Sequence, residues 1–78
     1  MFEKAKYITF DDPEFGVSAV LFPPSVRHDF MAQSLRLMGD DILGAGFWNG
    51  KECVRNSESL RKESRKEDTD IVKKLING

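Results

Sequence analysis

Cys53 and His28 are the one thiol and the one imidazole of this 78-residue chain, and together they are the residue types of a thiol nucleophile and its general base. Such a dyad needs the two side chains within hydrogen-bond reach and a thiol pKa lowered by a cation or a helix start. A thiol enzyme would therefore show a thiol that reacts at neutral pH. Nothing in the spacing of the two residues brings them together, and a lone cysteine in a strand reads as a small buried hydrophobe. His28, near a helix start, reads as a cap or a surface residue. Asp11, Asp12 and Glu14, and Asp40 with Asp41, are the types that hold a hard cation or do general acid and base work. Calcium loops place oxygen ligands at alternate positions around a glycine, a spacing absent here. Beside Pro13 and Gly39 these acids read as turn and cap residues that bond local amides. The sequence thus leads us to expect no catalytic residue, metal or cofactor.

One further constellation has the chemistry of a nucleic-acid surface. Arg55, Arg61, Lys62, Arg65 and Lys66 supply cations for phosphates, and Trp48 supplies an aromatic for stacking. Residues 51–78 carry eight basic against six acidic side chains, whereas residues 1–50 carry four against seven, so the formal net charge of −1 hides a mild polarity. Glu52, Glu58, Glu63, Glu67 and Asp68 interleave with the cations and repel phosphate. Charged residues on a strand also block sheet-to-sheet aggregation. Nucleic-acid binding is accordingly the alternative reading, testable by a mobility shift that weakens steeply with salt.

The elements that position these residues follow from turns and periodicity. Asn49-Gly50, between an apolar and a polar segment, is a signal for a tight hairpin. Counting outward from it pairs Trp48 with Lys51, Phe47 with Glu52, Gly46 with Cys53 and Ala45 with Val54. Tyr7 to Phe10 and Val17 to Phe22 are rich in β-branched and aromatic residues and flank a Pro- and Gly-bearing loop, which gives a first hairpin. Pro23-Pro24 stops its second strand. A helix follows from around Ser25 to Asp29, striped by Phe30, Met31, Leu35 and Met38 and ended by Gly39. Gly44 and Gly46 in the next strand allow another element to approach closely. The polar segment Arg55 to Lys66 reads as an exposed edge strand running into a charged loop. Ser64-Arg65-Lys66-Glu67 matches a capping box, and Ile71, Val72, Leu75 and Ile76 stripe a last helix that Gly78 ends.

The result is one α+β domain: a ββαββα two-layer sandwich with a four-stranded antiparallel sheet and both helices on one side. Alternation then places Ile8, Phe10, Val20 and Phe22 on one face and Tyr7, Ala19 and Leu21 on the other, with Ile42 and Trp48 opposite Leu43, Ala45 and Phe47. Both faces carry apolar groups, so the face without helices needs an outside cover, a second copy or another protein. Tyr7, Leu21 and Trp48 are the expected partner-binding residues there, with Phe15 as an anchor in its loop. At this length a single core supplies only about 3–5 kcal/mol, and one cysteine cannot form an internal disulfide, which makes a homodimer the expected stabiliser. No run is long and apolar enough to cross a bilayer, and the unpaired thiol suits the cytoplasm.

The run Tyr7 to Gly16 with Ala19-Val20-Leu21-Phe22-Pro23, then His28 and Met31-Ala32, then Ile42 to Phe47, resembles small uncharacterised proteins encoded in bacteriophages and prophages. The resemblance spans most of the chain and implies a context: such proteins act by binding a host or virion protein. It carries no catalytic signature. The leading expectation is a non-catalytic protein-interaction module.

Overall fold

A computed structural model describes residues 4–77 of the chain. Gly78, expected to end the last helix, lies outside the described residues, as do Met1, Phe2 and Glu3. The order is β1 (Ala5–Asp12), β2 (Gly16–Phe22), α1 (His28–Leu37), β3 (Asp41–Trp48), β4 (Cys53–Val54), β5 (Asn56–Ser57), β6 (Lys62–Glu63) and α2 (Asp68–Asn77). β1 to β4 form an antiparallel sheet in the order β2-β1-β3-β4, so the fold is α+β with four strands and two helices. β5 and β6 are a separate two-stranded hairpin inserted before α2.

The two helices lie on opposite faces of the sheet, and this replaces the expected one-sided arrangement. Ile8, Phe22, Ile42 and Ala45 pack with Ala32 of α1, joined by Phe10, Val20, Met31 and Leu35. Tyr7, Ala19 and Trp48 pack with Val72 of α2, joined by Leu21, Cys53 and Ile71. Neighbours on β1 such as Tyr7 and Ile8 thus serve two separate cores, as strand alternation requires. Nearly continuous apolar strands are what a sheet covered on both sides needs. Each face is covered from within the chain, so the sheet gives no reason to require a second copy.

Three local readings shift with it. The register between β1 and β3 slips between Thr9 and Phe10, leaving Leu43 as an extra residue, and this bulge puts Ile42 on the α1 side with Ala45. In the second hairpin Trp48 pairs with Cys53 and Phe47 with Val54, two residues from the expected register. Asn49 causes this. Its side-chain oxygen accepts hydrogen bonds from the amides of Lys51 and Glu52, both 2.9 Å, and its own amide bonds the Glu52 carbonyl at 3.2 Å. The bend therefore centres on Gly50-Lys51, with only Gly50 left-handed (φ 97°). The returning strand ends after Val54, because Arg55 is itself left-handed (φ 63°) and turns the chain into β5 instead of extending the edge.

The helices also present different faces from those expected: of the α2 stripe Ile71 and Val72 pack inward, whereas Leu75 and Ile76 are exposed. His28, Met31, Ala32 and Leu35 point inward from α1, whereas Phe30 and Met38 of the expected stripe face solvent. The capping box at Ser64 and Glu67 does not form. Ser64 donates to the Val54 carbonyl at 2.7 Å, and Asp68, the first residue of α2, instead accepts from the Arg65 amide at 3.0 Å.

Candidate functional site

The thiol and the imidazole stand on opposite sides of the sheet. Cys53 lies in the core beneath α2, where burial pushes its thiol up to about 11, leaving little thiolate at neutral pH. His28 opens α1 on the other face and is buried rather than a surface cap. Its Nε2 lies 2.8 Å from the Gly46 carbonyl, and its ring meets Phe22 and Phe47 edge to face. Burial lowers its pKa, which favours the neutral ring with Nε2 as donor. The nucleophile-and-base pairing is not assembled. Among the described residues no three histidine, cysteine, aspartate or glutamate side chains converge as a metal set.

Of the expected partner-binding residues, only Phe15 is strongly exposed, at 84 %. Tyr7 and Trp48 are corrected to core residues, 0 % and 4 % exposed, and Leu21 packs half-buried against the same cluster. Their face is the one α2 covers. The nucleic-acid constellation loses its aromatic in the same way, since Trp48 offers no ring for stacking. It also loses a free cation, because the Arg65 guanidinium is held by Asp68 at 2.8–2.9 Å. Arg55 and Arg61 each adopt a left-handed backbone and flank β5 and β6, while Lys62 lies in β6 and Lys66 in the turn before α2.

Asp68, which in the sequence reads only as an acid diluting the basic segment, is the hub of a buried polar network. Fully buried, it accepts from the Tyr7 hydroxyl at 2.7 Å, the Thr9 hydroxyl at 3.0 Å and the Arg65 amide at 3.0 Å, besides the guanidinium. Burial raises the Tyr7 phenol well above its ordinary range, so it stays a proton donor. Glycine at position 44 is what admits the acid, since a Cβ there would collide with the Asp68 carboxylate. The network has no opening to solvent beyond the half-exposed Arg65, and every acceptor role is taken; its chemistry is that of an anchor fixing α2 to β1 and β3.

The surface tells more. No family model, curated protein or solved structure matches this chain. The site must be read from its own geometry, and the exposed apolar side chains supply it. Phe15 projects from the turn between β1 and β2, and Leu37 and Met38, 83 % and 71 % exposed, project from the end of α1. The two segments are tied together. Pro13 packs near Gly39, and the Asp12 and Asp40 carboxyl groups meet within hydrogen-bond range. Asp12 also accepts from the amides of Glu14 and Phe15 at 2.8 and 2.9 Å, which fixes the turn that carries Phe15.

Two carboxylates in contact cannot both ionise cheaply, so one proton is shared. The hydrogen bond to Asp40 and the two amides hold Asp12 below the ordinary carboxylate range, and the hydrogen bond to Asp12 pushes Asp40 up to about 6. Asp40, raised in the fold, contributes stability that is lost as pH rises through about 6, and Asp12, lowered, contributes stability lost only as pH falls through its depressed value. Raising pH from about 5 to about 7 is therefore expected to loosen the tie between the β1–β2 turn and α1. Carboxyl-carbon NMR titration checks this directly: Asp40 titrates near 6 and the amide exchange of Phe15 accelerates over the same interval. An Asp40 titration in the ordinary carboxylate range would contradict it.

Proposed function

We propose that this chain is a non-catalytic protein-interaction module whose contact surface is the apolar end formed by Phe15, Leu37 and Met38. The observation that supports the reading is the exposure of three large apolar side chains, each above 70 %, on two segments braced against each other, while the sheet's own apolar faces are covered. Single exposed apolar residues are ordinary, but three on two segments held against each other favour a binding surface. Phe and Met, large and adaptable, are the types that anchor such contacts. The earlier expectation of a bare sheet face gives way to this end of the molecule.

The partner in this reading is a protein chain, a host or virion protein in the bacteriophage context that the sequence resembles, or a second copy. The setting is the cytoplasm, which a free thiol suits; no helix of the described residues is long and apolar enough to cross a membrane. Nucleic acid is the less supported alternative, resting on Arg55, Arg61, Lys62 and Lys66 without an exposed aromatic.

A photo-crosslinking residue at position 15, introduced in the native cellular setting, tests the proposal. One discrete adduct is expected, its mass distinguishing a second copy from another protein. Leu37→Ser with Met38→Ser is expected to abolish that adduct while shifting the melting temperature by no more than a few degrees, as exposed substitutions cost about 0.5 kcal/mol or less. An adduct that persists undiminished in the folded double variant, or none in the unaltered background, would sink this assignment.

A further inference from the structure

A second feature shares no residue with the apolar end. A cavity of about 370 Å³ opens where the start of α1, β3 and the segment after β4 meet, lined by Lys6, Arg27, Arg55, Phe47, Ser57 and a single acid, Glu58, among other residues. Three cations against one carboxylate is a local reversal of the chain's net charge of −1. They come from positions far apart in sequence, so folding alone assembles them.

Among the described residues, two of the three cations have no counter-charge. Arg27 is paired with Asp29 at 2.8 Å, but among the described residues neither Lys6 nor Arg55 has a carboxylate within ion-pair distance. Both stand over the same Phe47 ring, each 6.0 Å from its centroid, and so lie at most twice that distance from each other. The ring attracts each cation through its quadrupole, and the Val26 carbonyl accepts from the Lys6 ammonium at 2.8 Å. These contacts position the charges without neutralising them. Arg55 reaches its place through a left-handed backbone, a conformation costing a non-glycine residue about 1–2 kcal/mol. Ser57 is nearly fully buried at the cavity wall, with its hydroxyl near that of Ser59 at 3.3 Å.

We propose that this cavity is an anion site that takes the phosphate group of a small phosphomonoester, with Lys6 and Arg55 as the charged clamp and the Ser57 wall as the polar floor. An arginine fork and a lysine point charge are complementary ways of holding phosphate oxygens. The volume lies within the range of small-molecule sites, so it admits a phosphate with a modest organic group. Glu58 in the lining opposes anions and limits affinity.

Amide and side-chain NMR titration with inorganic phosphate, phosphoserine and a nucleoside 5′-monophosphate tests the proposal. Saturable shifts are expected at Lys6, Arg55 and Ser57, with the three probes competing for one site. Equal affinities would identify phosphate alone as the recognised group, and tighter binding of an ester would show that the organic part is also held. Lys6→Met keeps the apolar stem over Phe47 and Arg55→Gly suits the left-handed backbone, so both are expected to fold. Each should weaken binding about tenfold by removing a charge-assisted contact, whereas Glu58→Gln should tighten it. Absence of saturable shifts with all three probes, or shifts that Lys6→Met and Arg55→Gly leave unchanged, would overturn it.

Discussion

Asp68→Ala is expected to leave most of the chain unfolded at room temperature. The substitution removes a fully buried carboxylate that accepts from Tyr7, Thr9, the Arg65 amide and the Arg65 guanidinium. It would strand a partly buried cation and the Tyr7 hydroxyl, and leave the Thr9 hydroxyl only the longer contact of 3.4 Å to the Gly44 carbonyl. Breaking a buried charged pair by deleting one partner costs about 3–5 kcal/mol. A core of this size supplies about that much in total. Asp68→Asn keeps the shape and one acceptor oxygen, so a smaller loss is expected, and Tyr7→Phe removes one hydrogen bond for about 1–2 kcal/mol. Urea unfolding followed by circular dichroism orders the three variants. An Asp68→Ala midpoint close to that of the unaltered chain would show that the network does not anchor α2.

The second large effect concerns Trp48. A tryptophan at an interface can be replaced by alanine and leave a folded chain, but one that is 4 % exposed in the cluster with Tyr7, Ala19 and Val72 cannot. Trp48→Ala is expected to cost about 3–5 kcal/mol through lost burial and the cavity left behind. Phe15→Ala, by contrast, should change stability by no more than about 0.5 kcal/mol. Differential scanning calorimetry on the pair separates the cases: the first should abolish or sharply lower the transition, and the second should leave it in place. A folded, unshifted Trp48→Ala would return that residue to the surface.

Why the sequence led one way and the fold another can be traced residue by residue. The first two hairpins and both helices are written in local signals, namely β-branched runs, Pro23-Pro24, Asn49-Gly50 and the stripe around Val72, whereas the small β5–β6 hairpin is not. The apolar character of both strand faces was visible as well. Its meaning was not, because a sheet lined on both sides is satisfied equally by a second molecule or by helices that cross to opposite faces, and local periodicity does not specify the side on which a helix packs. The two-residue shift in the second hairpin came from Asn49 using its side chain as well as its backbone to make the turn. Trp48 was misplaced for a related reason, since a residue beside a turn looks peripheral until α2 is known to fold over it. Asp68 left no trace beyond its charge because its hydroxyl partners lie 59 and 61 residues away. The apolar end was half visible: Phe15 stood out in a polar loop, but Leu37 and Met38 read as ordinary helix residues. What joins the three is the meeting of Asp12 with Asp40, a tertiary contact.

The outer position of β2 has a consequence for handling and for evolution. This strand closes one border of the sheet, and its seven residues, Gly16–Phe22, include no charge and no proline. Natural borders of this kind are usually guarded by lysine, proline or a bulge, because unpaired amides and carbonyls template the addition of further strands. Here Val17-Ser18-Ala19-Val20-Leu21-Phe22 has the composition of a segment that stacks in register with copies of itself. At high concentration, or whenever α2 lifts from the sheet, fibrillar assembly would begin at this border. A lysine in place of Ser18 would act as a gatekeeper on the strand's polar position.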